Sequence, residues 1–246
     1  MSTPAWQRHE LARRAGRAVT AVELRPMRPD PAELTEVDEL LRAAYGGRSR
    51  RREVALYLSV QPDGWFVITD GGQLIGAAGT IGYGSFCWLG LVATRPDRQR
   101  QGLATRLSEH VMGWARERGC RTIALDASDA GRPVYERLGF QVVGATVELE
   151  LPGPLQHRAP QDVPSRDAAE AGIRPAAEAD GLLGLDRRAF GAPREGLLRR
   201  ILAEPGSSCQ VLYRDGRAAG YLIAREGMLG PGCAPDAAAA GGLVRA

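Results

Sequence analysis

A chain of 246 residues, 44% hydrophobic and 25% charged, is long for one domain, short for two ordinary ones, and unlike a disordered polymer in composition. All 32 basic residues are arginine, yet the net charge is only +3, which disfavours a nucleic-acid partner. Four scattered cysteines without a Cys-x-x-Cys pair or zinc-spaced histidines argue for free thiols and no metal; the N-terminus lacks an apolar signal core and no stretch approaches the roughly 20 apolar residues of a bilayer span. A cytoplasmic protein without a membrane partner is the expectation.

Residues 1–18 read as an N-terminal extension. From Val19, "VTAVELRP" alternates like a strand, and "DPAELTEVDELLRAAYGG" has helical spacing through Leu34, Val37, Leu40 and Leu41 and stops at Gly46. "RREVALYLSV" predicts a second helix, and "GWFVITD", the Gly71–Gly72 turn and "QLIGAAGTIGYG" predict an antiparallel hairpin. "SFCWLGLVAT" predicts a strand with Phe86, Trp88 and Val92 on one side and Cys87, Leu89, Leu91 and Ala93 on the other. An amphipathic helix follows, burying Leu103, Leu107, Val111 and Trp114. Then come an apolar strand "RTIALDAS", a short helix "GRPVYERLG" and a closing strand "FQVVGATVELEL". The strand–helix–strand run from Ser85 to Ala127 predicts a parallel crossover beside an antiparallel meander, hence an α/β (α+β) fold with a mixed, mostly antiparallel sheet flanked by helices.

Residues 152–171 read as a linker. Beyond it the chain partly repeats itself: "ELRP" ahead of "RAAYGG" recurs as "GIRP" ahead of "RRAFGA", and "QPDGWFVITDGGQLIGAAG" recurs loosely as "EPGSSCQVLYRDGRAAGYLI". The second copy, 172–246, is expected to end without a phosphate-type loop, crossover strand or closing helix. It should therefore be non-catalytic, marginal alone, and packed on the first copy, residues 19–151, or across a homodimer.

Chemistry concentrates in "RPDRQRQGLATRL". Gly102 permits an unusual backbone angle and close approach of a ligand, Ala104 is small, and a helix N-terminus flanked by Arg98 and Arg100 favours an anion such as a pyrophosphate. A glycine turn alone is compatible with a mere cap. The pattern, however, follows an apolar strand, opens an amphipathic helix, and precedes "VYERLGF" by about thirty residues. In these respects residues 19–151 resemble the GCN5-related N-acetyltransferase (GNAT) family, whose Gln/Arg-x-x-Gly-x-Gly/Ala motif matches Gln99, Gly102 and Ala104. The resemblance implies acetyl-CoA as cosubstrate, with its pyrophosphate held by Arg98, Gln99, Arg100, Gln101, Gly102, Leu103, Ala104 and Thr105 and its pantetheine arm along Leu91, Val92 and Ala93. It also implies a small-molecule or peptide amine acceptor, and Tyr135 as the acid that protonates the leaving thiolate.

The family often has a glutamate base on the strand before the loop; "SFCWLGLVAT" has none. Asp126 and Asp129 are conceivable substitutes, though a strand-ending aspartate more often caps a turn. The resemblance makes Tyr45, Tyr57 and Trp88 candidate walls of the acceptor pocket; His110 reads as structural, and the "RSRRRE" run at 48–53 as a solvated face. Two rivals stand beside the enzyme: a catalytically degenerate acyl-CoA-binding sensor, and an arginine-rich nucleic-acid binder resting on that run alone.

Overall fold

The computed structural model describes residues 22–147, 172–176, 180–225 and 227–246. The expected extension at 1–18 and linker at 152–171 lie outside these residues. The described residues fall into two compact units, the first running to Gly82 and from Cys87 to Gln141, the second taking Tyr83–Phe86 and the chain from Val142 on.

In the first unit, strands β1 (Glu23–Pro26), β2 (Trp65–Asp70), β3 (Gln73–Tyr83), β4 (Phe86–Thr94) and β5 (Thr122–Ala124) form one sheet in sequence order. β1 and β2 pair antiparallel, as do β2 and β3. Helices α1 (Pro31–Tyr45) and α2 (Arg51–Val60) separate β1 from β2, and α3 (Leu103–Glu117) separates β4 from β5. α1 starts where it does because the Asp30 carboxylate accepts from the amides of Ala32 and Glu33 at 3.0 and 2.9 Å, with proline at the first helical position.

Alternation along β2 sends Phe66 and Ile68 into a core with Leu103, Leu107, Val111 and Trp114 of α3, and Trp65 and Val67 into a second core with Val37, Leu40 and Leu41 of α1 and Val54 and Leu58 of α2. Helices thus cover both faces, which is why five consecutive β2 residues are buried and the strand reads as one apolar run. Trp65 lies opposite Gly79, where a Cβ would meet the indole at 2.5 Å; the glycine makes room for the ring.

Two expectations for this unit require correction. Cys87 and Leu89 share a side, in the α3 core, but Leu91 and Ala93, expected beside them, pack into the α1/α2 core, and Val92, expected opposite, packs on the α3 side. Leu91 has a left-handed backbone (φ 52), an irregularity that reverses the sides taken by the residues after it. In addition, Gln141–Val147 of the expected closing strand has no strand structure, and the remainder of that stretch lies outside the described residues.

The second unit repeats the order. β6 (Ile173–Pro175) precedes α5 (Asp180–Phe190) and α6 (Glu195–Leu202), then β7 (Ser208–Arg214), β8 (Arg217–Arg225) and β9 (Met228–Cys233) form an antiparallel sheet in the order β6-β7-β8-β9. Contrary to expectation it does end in a closing helix, α7 (Ala237–Arg245), whose Ala239 and Leu243 pack with Ile173 and Leu212. Asp236 caps α7 by accepting from the Ala239 amide at 2.8 Å and pairs with Arg214 at 2.9 Å. Asp186, only 2% exposed, accepts a fork from Arg194 (2.7–3.2 Å) and the Tyr221 hydroxyl, so a buried carboxylate is fully partnered. No helix among the described residues is long and apolar enough to cross a membrane.

Candidate functional site

β4 runs into a 3-10 turn at Pro96–Arg98 and then into α3. Arg100 and Gly102 both have left-handed backbones (φ 60 and 77), the kind of turn that gathers successive N–H groups into an anion-binding concavity. Gly102 is the N-cap of α3 and no side chain caps the helix. The first helical hydrogen bond is Arg106 N to Gly102 O at 3.0 Å, so the amides of Leu103, Ala104 and Thr105 precede the ladder. A Cβ on Gly102 would meet nothing within 4 Å, so the space above the turn is open. The helix dipole favours an anion there.

The structure divides the loop arginines. Arg98 is turned into an ion pair with Asp70, both partners mostly buried, and so does not present a free charge to the loop as expected. Arg95 forks onto Asp97 at 2.6 and 3.0 Å. Arg100 is exposed and makes no ion pair among the described residues, and Gln99 and Gln101 are exposed beside it. The open cation of this turn is therefore Arg100. Leu103 is buried, so only its backbone faces the loop.

On β4, the Leu91 irregularity adjoins Val92, whose carbonyl accepts the Tyr45 hydroxyl at 2.6 Å. β5 has three residues against nine in β4, so it can ladder with at most a third of its neighbour. Tyr135, on α4 (Arg132–Arg137), packs on the α3 core and meets the Phe140 ring edge-on at 5.8 Å. Burial pushes its phenol up to about 12, and the nearby Tyr45 phenol adds to the shift. The proton is thus held at neutral pH. The loop, the β4 irregularity and the two tyrosines belong to one unit.

Other candidates are not gathered. Asp126 and Asp129 are exposed. His110 stacks edge-on against Phe66 at 4.5 Å, and burial lowers its pKa. Tyr57 is partly buried in the α1/α2 core, whereas Trp88 is exposed. In the 48–53 run, Arg48 pairs with Glu53 at 2.8 Å, Arg50 lies over the Tyr45 ring at 5.2 Å and Arg51 bonds Thr35, so these charges serve the α1–α2 junction. No cluster of three metal-ligating side chains occurs among the described residues. Sequence reasoning missed the Tyr45–Val92 contact, which spans 47 positions, and the Arg98–Asp70 pair; neither has a local spacing signature.

Residues 34–140 match the family described as acetyltransferase (GNAT) family, and residues 182–246 match an acetyltransferase (GNAT) domain. The chain belongs to the GNAT acetyltransferases. It is a tandem GNAT protein with a shorter second module. It is 28% identical over 173 residues to the uncharacterised N-acetyltransferase YitH of Bacillus subtilis (strain 168), a match covering 69% of this chain and 57% of that protein. The chain thus spans a little over half the length of this curated GNAT relative. A crystal structure of a proposed acetyltransferase from Pyrococcus horikoshii is similar with a TM-score of 0.70 and 20% identity, over 91% of this chain and 74% of that one, a likeness of fold.

Proposed function

We propose that the first module, residues 19–151, transfers an acetyl group from acetyl-CoA to a primary amine of a small molecule or peptide. The observation that carries this reading is the uncapped N-terminus of α3 at Gly102, open above and flanked by Arg100, directly after the irregular strand β4. In this reading the pyrophosphate lies against the amides of Gly102 to Thr105, with Arg100 and the side chains of Gln99 and Gln101 around it. The pantetheine arm follows the backbone of Leu91 to Ala93. Arg98 contributes by fixing the turn through Asp70.

The amine nitrogen attacks the thioester carbonyl, the carbon–sulfur bond breaks, and the departing sulfur takes a proton from the Tyr135 hydroxyl. β4 supplies no carboxylate to receive the amine proton, which passes to solvent, and solvent returns a proton to the Tyr135 phenolate. That absence also supports the second reading, a module that binds acyl-CoA without turnover. The four unbridged cysteines suit a reducing, cytoplasmic setting.

The test is CoA release from acetyl-CoA with a panel of primary amines, paired with calorimetry of wild type and Gly102→Val. Release with at least one amine is expected. The valine variant should bind acetyl-CoA at least about tenfold more weakly: its side chain would project into the open space above the turn, at a left-handed position that costs an L-residue roughly 1–2 kcal/mol. Equal affinity would remove the phosphate-loop assignment; binding without release would favour the sensor.

A further inference from the structure

Among the residues of α1, Tyr45 stands out because its hydroxyl reaches 47 positions along the chain to the main chain of β4. It sits in the last turn of α1, ahead of Gly46 and Gly47, and donates to the Val92 carbonyl at 2.6 Å. Val92 follows Leu91, whose left-handed backbone is costly for a residue with a branched side chain and persists only where neighbours impose it. A hydrogen bond on the next carbonyl is such an imposition. The N–H and C=O of one strand residue face the same edge, so Tyr45 marks the edge toward which the Val92 amide also points. Tyr45 and Tyr135 lie in the same unit, so the clamped edge and the acid of the proposed reaction belong to one module.

The second module provides an internal comparison. Its "RRAFGA" repeats "RAAYGG", with Phe190 at the position of Tyr45, and its last helix is closed by its own Asp236. The hydroxyl is present where the helix N-terminus is open and missing where it is capped.

We propose that Tyr45 is a positioning residue that acts through Val92, clamping the carbonyl so that the Leu91–Ala93 backbone is held ready for the acyl carrier's arm. The inference rests on the acetyl-CoA reading above. The pantetheine amide then meets a strand already bent, instead of ordering it on arrival.

The experiment compares full-length wild type with Tyr45→Phe, an isosteric change at an exposed side chain. Acetyl-CoA affinity by calorimetry and KM for acetyl-CoA should both weaken by about five- to tenfold, the scale of one neutral hydrogen bond, with kcat at saturation within about twofold and the melting temperature lowered by no more than a few degrees. Equal affinity in the two proteins overturns the clamp while leaving the acetyl-CoA reading standing. Tighter binding in Tyr45→Phe overturns it too, because the contact would then compete with the ligand. A fall in kcat at constant KM assigns the hydroxyl to the reacting groups and likewise overturns it. Failure of wild type itself to bind acetyl-CoA defeats the functional reading, and the clamp with it.

Discussion

Tyr135 illustrates how one side chain can be both packed and chemically useful. Its ring belongs to the α3 core, so Tyr135→Phe keeps the packing and removes only the oxygen. In the proposed reaction, turnover should fall by roughly 10² with acetyl-CoA affinity little changed, as expected for loss of a general acid. Full activity in the variant would reduce Tyr135 to a core residue. Because burial pushes the phenol up to about 12, its protonated form persists through the working range. The pH–rate profile should therefore show no alkaline loss attributable to this group below about pH 10, and Tyr135→Phe should leave the shape of that limb unaltered. Gly102 was legible as the turn that opens α3, because a glycine between an apolar strand and an amphipathic helix is a local signal. The engagement of Arg98 by Asp70 was not, since 28 positions and a completed hairpin separate the partners.

At the level of elements, legibility followed local signals. α1 was readable from its Asp-Pro start, apolar spacing and glycine stop, and the structure places it at Pro31–Tyr45. β4 was readable as a strand but not in its sidedness, because a leucine with a left-handed backbone leaves no mark on the apolar pattern that precedes or follows it. α7 was missed for a different reason: "AAAAGGLVR" buries only Ala239 and Leu243, and its paired glycines read as loop. Its stop-start signal was the Asp236 cap. In the same unit, Asp186 on α5 ties to Arg194 beside α6 and Tyr221 on β8, three elements joined by one carboxylate. Asp186→Ala should destabilise the second unit by about 3–5 kcal/mol, since it strands a largely buried guanidinium and a buried hydroxyl. Hydrogen exchange across β7 and β8 reads this out; unchanged protection there would mean the network is not what holds these elements together.

For the whole molecule, two consequences follow from repeating one element order with different chemistry at the strand–helix junction. The first concerns stability at high pH. Burial raises Cys87 to about 11 and Cys209 to about 12 from a usual 9, and raises Tyr135 to about 12 and Tyr221 in the same direction from 10. Above pH 9 the unfolded chain releases these protons before the folded chain does, so the unfolded state binds fewer protons and stability must fall with rising pH. The melting temperature should decline from pH 9 to 11; a flat profile would show that these groups are not buried as described. The second consequence is stoichiometry. The first module ends β4 in a glycine turn and an uncapped helix, whereas the second ends β9 in Ala234-Pro235-Asp236, with a carboxylate on the amides where an anion would have to lie and Arg214 already paired to it. A pyrophosphate approaching α7 meets a like charge in place of free donors. Calorimetry of the full chain should give one CoA per chain, and Gly102→Val should weaken that binding without uncovering a second site. A stoichiometry of two would mean that Asp236 gives way to the ligand and that the second module binds as the first does.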